Sequence, residues 1–335
     1  MAQATGKVCV TGAGGYLGSW VVKHLLSNNY TVHGTVRQLG DAKYAHLNQL
    51  ERASHNLQLF KADVLDYDSL CSAITGCTGV FHVASPVPST IEEVIEPAVK
   101  GTLTVLKACV ESNVKRVVVV SSVTAVSLNP RWPVGQIKDE ACWSDKEYCA
   151  ATKNWYCLSK TEAESEAFEF AKKSGLDVVT VCPTLIWGPL LQSTINASSK
   201  SIVAGARTLF YISCLPTMVF QQKLRGKYEG YDTLEIKLRK IVDVRDVAQA
   251  LLLVYEKPAA EGRYICTAHT IKARDLVDKL RSMFPQYNYP KSFTAGGEED
   301  TVSSEKLQRL GWSYRPLEET LVDSIESYKK AGILD

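Results

Sequence analysis

Two hydrophobic patterns alternate along the first half of the chain. Short runs rich in β-branched residues predict strands over residues 8–11, 31–36, 57–62, 80–84, 117–121 and 178–182. The segments between them place apolar residues at helical spacing. This alternation predicts an α/β fold of the Rossmann type, a doubly wound parallel sheet with helices on both faces. Most of the strand runs carry little polar alternation, as expected for strands that are buried on both faces.

The pattern loosens after Pro183. Residues 194–240 show no regular repeat of strand and helix, whereas residues 242–255 predict a short strand followed by a helix that begins at Asp246. A closing amphipathic helix is predicted over residues 318–330. We therefore expect a Rossmann domain over residues 1–183, to which residues near 240–255 return. A smaller, discontinuous lobe is expected mainly from residues 184–335.

Composition argues against several classes of partner. The 335 residues carry a formal net charge of +2, and no run of Lys or Arg is long enough to neutralise many phosphates, so no nucleic acid partner is expected. The longest uncharged stretch, residues 208–222, contains Pro216 and is shorter than the roughly 20 apolar residues that cross a bilayer. It is predicted to be buried or to form a lid, and no membrane partner is expected. Because the first strand begins almost at the amino terminus, no leader is predicted and the expected location is the cytoplasm.

A glycine-rich turn follows the first strand directly. Gly12, Gly15 and Gly18 lie in the run T-G-A-G-G-Y-L-G, which opens a predicted helix with Tyr16 and Leu17 in its first turn. Glycine permits a tight turn and lets a pyrophosphate approach the backbone, where the helix offers N–H groups and positive potential. The motif alone is weak, but its position between a strand and a helix predicts dinucleotide binding.

The end of the second strand favours NADPH over NADH. NAD enzymes usually carry an acidic residue there for the ribose hydroxyls, whereas this strand is followed by Arg37, with Lys43 close behind. A guanidinium favours a 2′-phosphate, although both cations also fit as solvated surface charges. Asp63 and Val64, after the third strand, are expected to meet the adenine edge. Asp63 fits equally well as a helix cap or a turn residue.

Three side chains form a candidate catalytic set. Tyr156 and Lys160 are four residues apart, so on a helix they share a face and the ammonium can lower the pKa of the phenol, ordinarily ~10. Ser122, at the end of the fifth strand, is expected to donate to an oxygen that becomes alkoxide-like as hydride arrives. Ser121 is the weaker serine candidate because strand alternation can turn it away, and Thr124 is a third polar candidate. The order of glycine-rich turn, serine strand end and Tyr–Lys helix favours catalysis over an ordinary helix surface pair.

The ten cysteines are scattered and show no paired C-x-x-C spacing, so most are expected to be buried apolar residues and no metal site is predicted. Cys149 and Cys157 flank the segment that carries Tyr156. On one continuous helix their Cα atoms would lie ~12 Å apart, too far for a disulfide, so a bridge requires a break, for which residues 152–154 are suited. Two unrelated buried thiols are the favoured interpretation, and a reversible redox pair that repositions Tyr156 is the alternative.

Several short motifs are shared with a known group of enzymes. They are V-T-G at 10–12 with Gly15 and Gly18, H-V-A-S-P at 82–86, S-S at 121–122, N-W-Y-C at 154–157 with Lys160, C-P-T at 182–184, G-P-L-L-Q at 188–192 and V-D-V-R-D-V-A at 242–248. In these pieces the chain resembles the extended short-chain dehydrogenases, and among them the plant cinnamoyl-CoA reductase and dihydroflavonol reductase group. The resemblance covers nearly the whole chain.

The resemblance implies NADPH as cofactor, a discontinuous carboxy-terminal substrate lobe, and reduction of phenylpropanoid CoA thioesters or related aromatic carbonyls. By the same resemblance, cofactor contacts are expected at Ala84, Ser85, Pro183, Thr184 and Ser198. Substrate contacts are expected at Ser122, Thr124 and Gln192. Two departures weaken the substrate assignment: the group's N-W-Y-C-Y-G-K signature has Leu158 and Ser159 here in place of the inner Tyr-Gly, and residues 204–235 look longer and more apolar than the usual connection.

Three functions follow from these patterns. The first is reduction of a hydroxycinnamoyl-CoA thioester to an aldehyde, in which Ser122 and Tyr156 hold the oxyanion and the CoA thiolate leaves. The second uses the same residues to reduce a ketone or aldehyde, such as a dihydroflavonol or phenylacetaldehyde, to an alcohol. The third is a nucleotide-sensing scaffold, which has little need for an intact Ser–Tyr–Lys set. The sequence leaves open the ring substitution of the substrate and the oligomeric state.

Overall fold

The main sheet is formed by seven parallel strands in the computed structural model, which describes residues 5–85, 94–193, 233–296 and 300–334. The strands are β1 (Gly6–Thr11), β2 (Tyr30–Val36), β3 (Leu57–Lys61), β4 (Gly79–His82), β5 (Arg116–Val120), β6 (Asp177–Pro183) and β10 (Gly262–Cys266). Their order across the sheet is β10-β6-β5-β4-β1-β2-β3. The predicted α/β fold of the Rossmann type is confirmed.

All six strands predicted in the first half are found within two residues of their expected bounds. In five of them β-branched side chains are buried in the sheet, as Val8, Val32, Val117 and Val179 illustrate, whereas β3 has none and is only partly buried. The seventh strand, β10, pairs with β6 and comes from a part of the chain beyond the residues expected to return. Its short G-R-Y-I-C run begins with a glycine and a charged residue, so it gives little strand signal by itself.

Helices cover both faces of the sheet. On one face α1 (Tyr16–Ser27) packs against α9 (Val244–Glu256). On the other face α5 (Ile95–Glu111) packs between α4 (Tyr67–Ile74) and α8 (Trp155–Ser174). The shorter helices are a 3₁₀ turn at Ala42–Tyr44, α2 (Ala45–Asn48), α3 (Ala53–Asn56), α6 (Thr124–Ser127) and α7 (Lys146–Ala151).

The second half of the chain adds a lobe with its own core. One small sheet has the order β11-β9-β7, from β7 (Leu185–Trp187), β9 (Leu238–Asp243) and β11 (His269–Lys272), and another pairs β8 (Thr233–Glu235) with β12 (Ser292–Thr294). Helices α10 (Ala273–Met283) and α12 (Leu317–Lys330) pack here, and α11 (Glu305–Arg309) lies against β10. Trp187, Ile241, Leu276 and Leu321 belong to the common core. The predicted closing helix is confirmed within one residue, whereas the stretch 208–222 lies outside the described residues.

Helix α9 begins two residues earlier than predicted. Its N-cap is Asp243, whose Oδ1 accepts a hydrogen bond from the backbone N–H of Arg245 at 2.8 Å. The prediction that Asp246 starts the helix is therefore wrong, because the carboxylate at the end of β9 already fills the capping position. Asp246 lies in the first helical turn instead, paired with Arg315.

Hydrogen bonds connect the first helix with the start of the second lobe. The Tyr16 hydroxyl donates to the carbonyl of Gly188 at 2.9 Å, and Trp20 Nε1 donates to the carbonyl of Pro189 at 2.9 Å. The Tyr328 hydroxyl of α12 reaches the same Gly188 carbonyl at 3.3 Å. Gly188 has a φ of 135°, which strongly favours glycine. The turn at 188–189 is thus held from both lobes.

The described part of the chain has no helix that is both long enough and apolar enough to cross a bilayer. Its nine cysteines are free thiols, and all except Cys71 are buried. Burial raises the pKa of several of them, including Cys77 to about 12. These buried thiols therefore stay protonated near neutral pH.

Candidate active site

The glycine-rich turn brings the end of β1 and the start of α1 into close backbone contact. Gly12 has a φ of 68°, and a Cβ atom there would lie 3.0 Å from the Cα atom of Ala84. A Cβ atom on Gly18 would lie 2.2 Å from the carbonyl oxygen of Gly12. Gly12 therefore requires glycine because of its positive φ and the close Ala84 backbone, and Gly18 requires it because a side chain would push α1 away from the turn.

The amino terminus of α1 fits a pyrophosphate. Gly15 is its N-cap residue, so no side chain caps the helix, and the first turn contains no acidic residue that would repel an anion. The side chains of Tyr16 and Leu17 are buried, which leaves their backbone as the part that can face a ligand. The helix end therefore offers N–H groups and positive potential to a negatively charged group.

The two cations that the sequence predicts as 2′-phosphate ligands both come after β2. Arg37 follows β2, and its side chain is 71% exposed, with Nε 4.0 Å from Oδ2 of Asp63. Lys43 lies in the 3₁₀ turn, with Nζ 2.8 Å from Oδ2 of Asp41. Asp63 also accepts a hydrogen bond from the Leu65 N–H at 3.0 Å, which is the turn role left open by the sequence. An exposed guanidinium with one distant partner remains able to bind a 2′-phosphate.

The two serines after β5 face different surroundings. Ser121 Oγ donates to the buried carboxylate of Glu164 at 2.8 Å, so strand alternation does turn this hydroxyl away from Ser122. Ser122 Oγ accepts the backbone N–H of Thr124 at 3.2 Å. This bond uses a lone pair of the Ser122 oxygen and leaves its proton for a substrate oxygen.

Helix α8 starts at a break between Cys149 and Cys157, where the sequence suggested one. Helix α7 ends at Ala151, Lys153 has a φ of 55°, and the side chain of Asn154 caps α8 by accepting from the Cys157 N–H at 3.4 Å. The two cysteines belong to one small buried cluster and are not joined by a disulfide. The cap places Tyr156 in the first turn of the helix and Lys160 one turn further.

Tyr156 and Lys160 differ sharply in exposure. Tyr156 is 50% exposed, whereas Lys160 is 9% exposed and its ammonium donates to Ser85 Oγ at 3.0 Å. Burial lowers the pKa of Lys160 to about 8, and the nearby Glu164 carboxylate opposes that shift. An exposed phenol on the same helical face as a buried cation is suited to pass a proton to a bound carbonyl oxygen.

A buried histidine supports the backbone around Ala84. Thr11 Oγ1 accepts the Ala84 N–H at 3.1 Å and lies 2.9 Å from His82 Nδ1, while His82 Nε2 lies 3.3 Å from Thr102 Oγ1. Burial, with a smaller contribution from the Lys160 charge, lowers the pKa of His82 to about 3, so the ring is neutral. The network fixes the chain that leads from β4 to Ser85.

The remaining predicted contacts are placed as follows. Val64 packs on α5, where a Cβ atom on Gly101 would lie 2.9 Å from its side chain. Pro183 ends β6, and the Thr184 hydroxyl lies 3.3 Å from Thr267 Oγ1. Within the described residues, Thr124 Oγ1 and Gln192 Oε1 are buried atoms without a hydrogen-bond partner, and Trp132 Nε1 and Thr320 Oγ1 share this condition. Ser198 lies outside the described residues.

Sequence reasoning missed the buried polar residues behind the site. Glu164 and Arg263 form an ion pair of 2.9 Å, and neither side chain is more than 6% exposed. The usable signal was the spacing of Glu164, four residues after Lys160 on the same helix. The partner Arg263 lies about a hundred residues away in β10, which no local pattern could connect to α8.

Comparison with known proteins identifies a family, a related sequence and related structures. Residues 8–266 match the NAD dependent epimerase/dehydratase family. Cinnamoyl-CoA reductase 1 of Petunia hybrida is 43% identical over 331 residues, covering 98% of this chain and 93% of that protein. Among solved structures, vestitone reductase from alfalfa has a TM-score of 0.81 at 31% identity, covering 98% of this chain and all of the other. The structure of Gre2 from Candida albicans in complex with NADPH has a TM-score of 0.76 at 25% identity, covering 97% and 99% of the two chains.

Proposed function

The chain belongs to the NAD dependent epimerase/dehydratase family, and we propose that it reduces a hydroxycinnamoyl-CoA thioester with NADPH to give a hydroxycinnamaldehyde and free CoA. More broadly, it is an NADP-dependent oxidoreductase of the group that contains the cinnamoyl-CoA reductases. The observation that carries the proposal is the pairing of exposed Tyr156 with buried Lys160 one helical turn away, beside the Ser122 strand end. The 43% identity to a cinnamoyl-CoA reductase over nearly the full length supports the thioester substrate.

The residues at the carboxyl edge of the sheet suit NADPH. The first turn of α1 would hold the pyrophosphate, Arg37 and Lys43 the 2′-phosphate, and Lys160 with Ser85 a ribose hydroxyl. The further proposed contacts are Gly12, Gly15, Tyr16, Leu17, Gly18, Asp63, Val64, Ala84, Tyr156, Pro183, Thr184 and Ser198. When bound, NADPH supplies the hydride that adds to the carbonyl carbon of the substrate.

The side chains stabilise the oxygen of that carbonyl. The Ser122 hydroxyl donates to it, with its own lone pair engaged by the Thr124 N–H. The Tyr156 phenol donates a second hydrogen bond, and the Lys160 ammonium lowers the pKa of that phenol. As the tetrahedral oxyanion re-forms a carbonyl, the C–S bond breaks and the CoA thiolate leaves, taking a proton from solvent. One hydride and one proton are thereby consumed for each aldehyde and thiol produced.

The substrate is proposed to lie against the second lobe. Residues 184–335 form this lobe for the most part, while residues 1–183 and the returning segments hold the cofactor. The unpaired Gln192 Oε1 and Thr124 Oγ1 are proposed to accept hydrogen bonds from the aromatic end of the substrate. Filling these acceptors would remove the free-energy cost of leaving them buried without a partner.

A second candidate is direct reduction of a ketone or aldehyde to an alcohol. The similarity to vestitone reductase at 31% identity over 98% of the chain favours it, as do Leu158 and Ser159 in place of the group's Tyr-Gly. NADPH oxidation should be followed with a panel of aromatic CoA thioesters, aldehydes and dihydroflavonols, together with thiol release. One thiol per NADPH oxidised supports the thioester reaction. NADPH oxidation without thiol release supports the alternative, and no turnover with any aromatic carbonyl contradicts both.

A further inference from the structure

Glu164 is a buried carboxylate that the proposed reaction does not use. It lies on α8 four residues after Lys160, and its side chain is fully buried. A buried ion pair contributes little net stability, since well-packed apolar residues in its place are often as stable or more so. Its presence directly behind the site therefore calls for a role beyond stability.

The carboxylate collects donors from two strands that end at the site. Oε2 accepts from Ser121 Oγ at 2.8 Å, and Oε1 accepts from Thr180 Oγ1 at 2.5 Å. The Cys182 thiol lies 3.4 Å from Oε1. Ser121 is adjacent to Ser122, so the carboxylate fixes the direction in which the Ser122 side chain leaves the backbone. A residue held on one side of an extended chain turns its neighbour to the other side.

Arg263 completes the arrangement from the far edge of the sheet. Its Nε and Nη2 donate to the two oxygens of Glu164 at 2.9 and 3.1 Å, and Nη2 also donates to the carbonyl of Ala125 at 3.1 Å. Nη1 donates to the carbonyl of Cys142 at 2.8 Å, and the guanidinium stacks on Trp143 at 3.5 Å. The bidentate geometry fixes both partners. One ion pair thus ties α8 to the turn that carries Ser122.

We propose that Glu164 is a positioning residue of the reductase site, which holds Ser122 through Ser121 and supplies the negative charge that keeps the buried Lys160 ammonium charged. This inference rests on the proposed function, because it assigns Ser122 and Lys160 their roles. Glu164 itself lies on α8 and acts through these neighbours.

Among the ionisable groups around Lys160, Glu164 is the one that stabilises the positive charge of the ammonium. His82 of β4 is a neutral ring, and burial raises the pKa of the Cys182 thiol of β6, which is therefore also neutral. Tyr156 on the same helix is a phenol, and the Arg263 guanidinium of β10 is paired with the carboxylate of Glu164 itself. Glu164 is thus the charged neighbour that raises the pKa of Lys160 and opposes the effect of burial. Removing its charge should shift the protonation of Lys160 to lower pH.

Two variants separate the hydrogen bond from the charge. Ser121→Ala removes the tether but keeps the carboxylate, so kcat should fall about tenfold with an unchanged pH profile. Thr180→Val is the matched control, because it removes a donor to the same carboxylate from a strand that does not carry Ser122, and kcat should stay within about twofold. Equal kcat values for Ser121→Ala and wild type would show that the Ser121–Glu164 hydrogen bond does not position Ser122.

Glu164→Gln tests the charge. The basic limb of the kcat/KM profile should move down by about one pH unit, and Glu164→Asp should restore its position. An unmoved limb in a folded Glu164→Gln protein would overturn the electrostatic role. If loss of the partner of Arg263 prevents folding, Glu164→Asp still decides. If Glu164→Asp lowers kcat but leaves the basic limb of its kcat/KM profile at the wild-type pH, the proposal is supported. If the basic limb of Glu164→Asp shifts, the proposal is contradicted.

The proposed function fails independently of this inference if wild-type protein turns over no aromatic carbonyl. In that event the dissociation constant of NADPH is measured against pH for wild type and Glu164→Gln, since the Lys160 ammonium is proposed to bind the ribose. A loss of affinity that begins at lower pH in Glu164→Gln supports the role of Glu164, and superimposable curves overturn it.

Discussion

The ammonium of Lys160 lies 3.0 Å from the hydroxyl oxygen of Ser85. This bond joins α8 to the segment after β4, so it places the cation at the carboxyl edge of the sheet, where dinucleotides bind in open α/β folds. Because the ammonium is the donor, the Ser85 hydroxyl keeps its own proton for a ligand. Lys160 can therefore serve the cofactor and the phenol at once.

Lys160→Ala should lower kcat and also weaken NADPH binding, because the ammonium is proposed to contact both Tyr156 and the ribose. Ser85→Ala should weaken NADPH about fivefold with a smaller effect on kcat, since it removes one neutral hydrogen-bond partner. Fluorescence titration and steady-state rates give both quantities. An unchanged NADPH dissociation constant in Lys160→Ala would show that the ribose contact is wrong.

Tyr156→Phe should lower kcat by about 10²–10³-fold and leave NADPH affinity near the wild-type value, because it removes a hydrogen-bond donor to the oxyanion and little of the cofactor contact. Tyr148→Phe is the control, since this tyrosine lies on the preceding helix and is also exposed. It should keep wild-type kinetics. Rapid turnover by Tyr156→Phe would refute the catalytic assignment.

The pH profile should show a basic limb near 8. Burial lowers the pKa of Lys160 to about 8, so the group loses its charge as the pH rises through that value. Without the positive charge the phenol is a poorer proton donor, and kcat/KM of the free enzyme should fall above pH 8. Lys160→Arg supplies the check, because a guanidinium stays charged and any residual activity should lack this limb.

Arg37→Asp should weaken NADPH much more than NADH, because it replaces a phosphate partner by a repelling charge. Arg52→Asp reverses the charge of an arginine that has not been assigned to the cofactor, so it controls for the change in net charge. Dissociation constants for both cofactors test the idea. Equal losses with NADPH and NADH would exclude Arg37 as the 2′-phosphate ligand.

Arg116→Met should lower the free energy of unfolding by about 2 kcal/mol. The guanidinium donates to the carbonyls of Val254 and Lys257 at 2.9 and 2.7 Å and to the Asp177 carboxylate at 2.7 Å, which satisfies the end of α9. Arg309→Met, which breaks an exposed pair with Glu305, should change stability by less than about 0.5 kcal/mol. Urea unfolding of the two variants gives the comparison. Equal midpoints would show that the hydrogen bonds of Arg116 to the end of α9 do not stabilise the fold.

Local patterns were sufficient for the first half of the fold. In five of the six strands the β-branched residues that gave the prediction are buried in the sheet, so the same property predicts and forms these strands, whereas β3 has no β-branched residue and is only partly buried. The turn at Gly12 and Gly18 was also predictable, because only glycine allows the contacts found there. The break at Asn154 was predicted only as a requirement for a Cys149–Cys157 bridge, and the structure has the break without the bridge, in line with the preference of Asn for caps.

Long-range relationships were not predictable in the same way. The edge position of β10 depends on the second edge of β6, which lies about 80 residues earlier in the chain. Arg263 pairs with Glu164 across 99 residues. The wrong start of α9 at Asp246 has another cause, because two carboxylates three residues apart both suit a helix start and the local hydrogen bond from the Arg245 N–H is made to Asp243. Burial of Lys160, which sets its pKa, likewise depends on elements far apart in the chain.

The pairing of β6 with β10 has a consequence while the chain is being synthesised on the ribosome. During synthesis β6 leaves the ribosome about 80 residues before the strand that covers it, so its outer edge stays open while the second lobe is translated. That edge carries Val179 and Val181, and an apolar strand with unpaired backbone groups is a template for association with other chains. A fragment ending at Pro183 would keep this edge permanently. It would contain the cofactor turn and the Ser–Tyr–Lys set but be prone to aggregate, so the amino-terminal half depends on the carboxy-terminal half for its solubility.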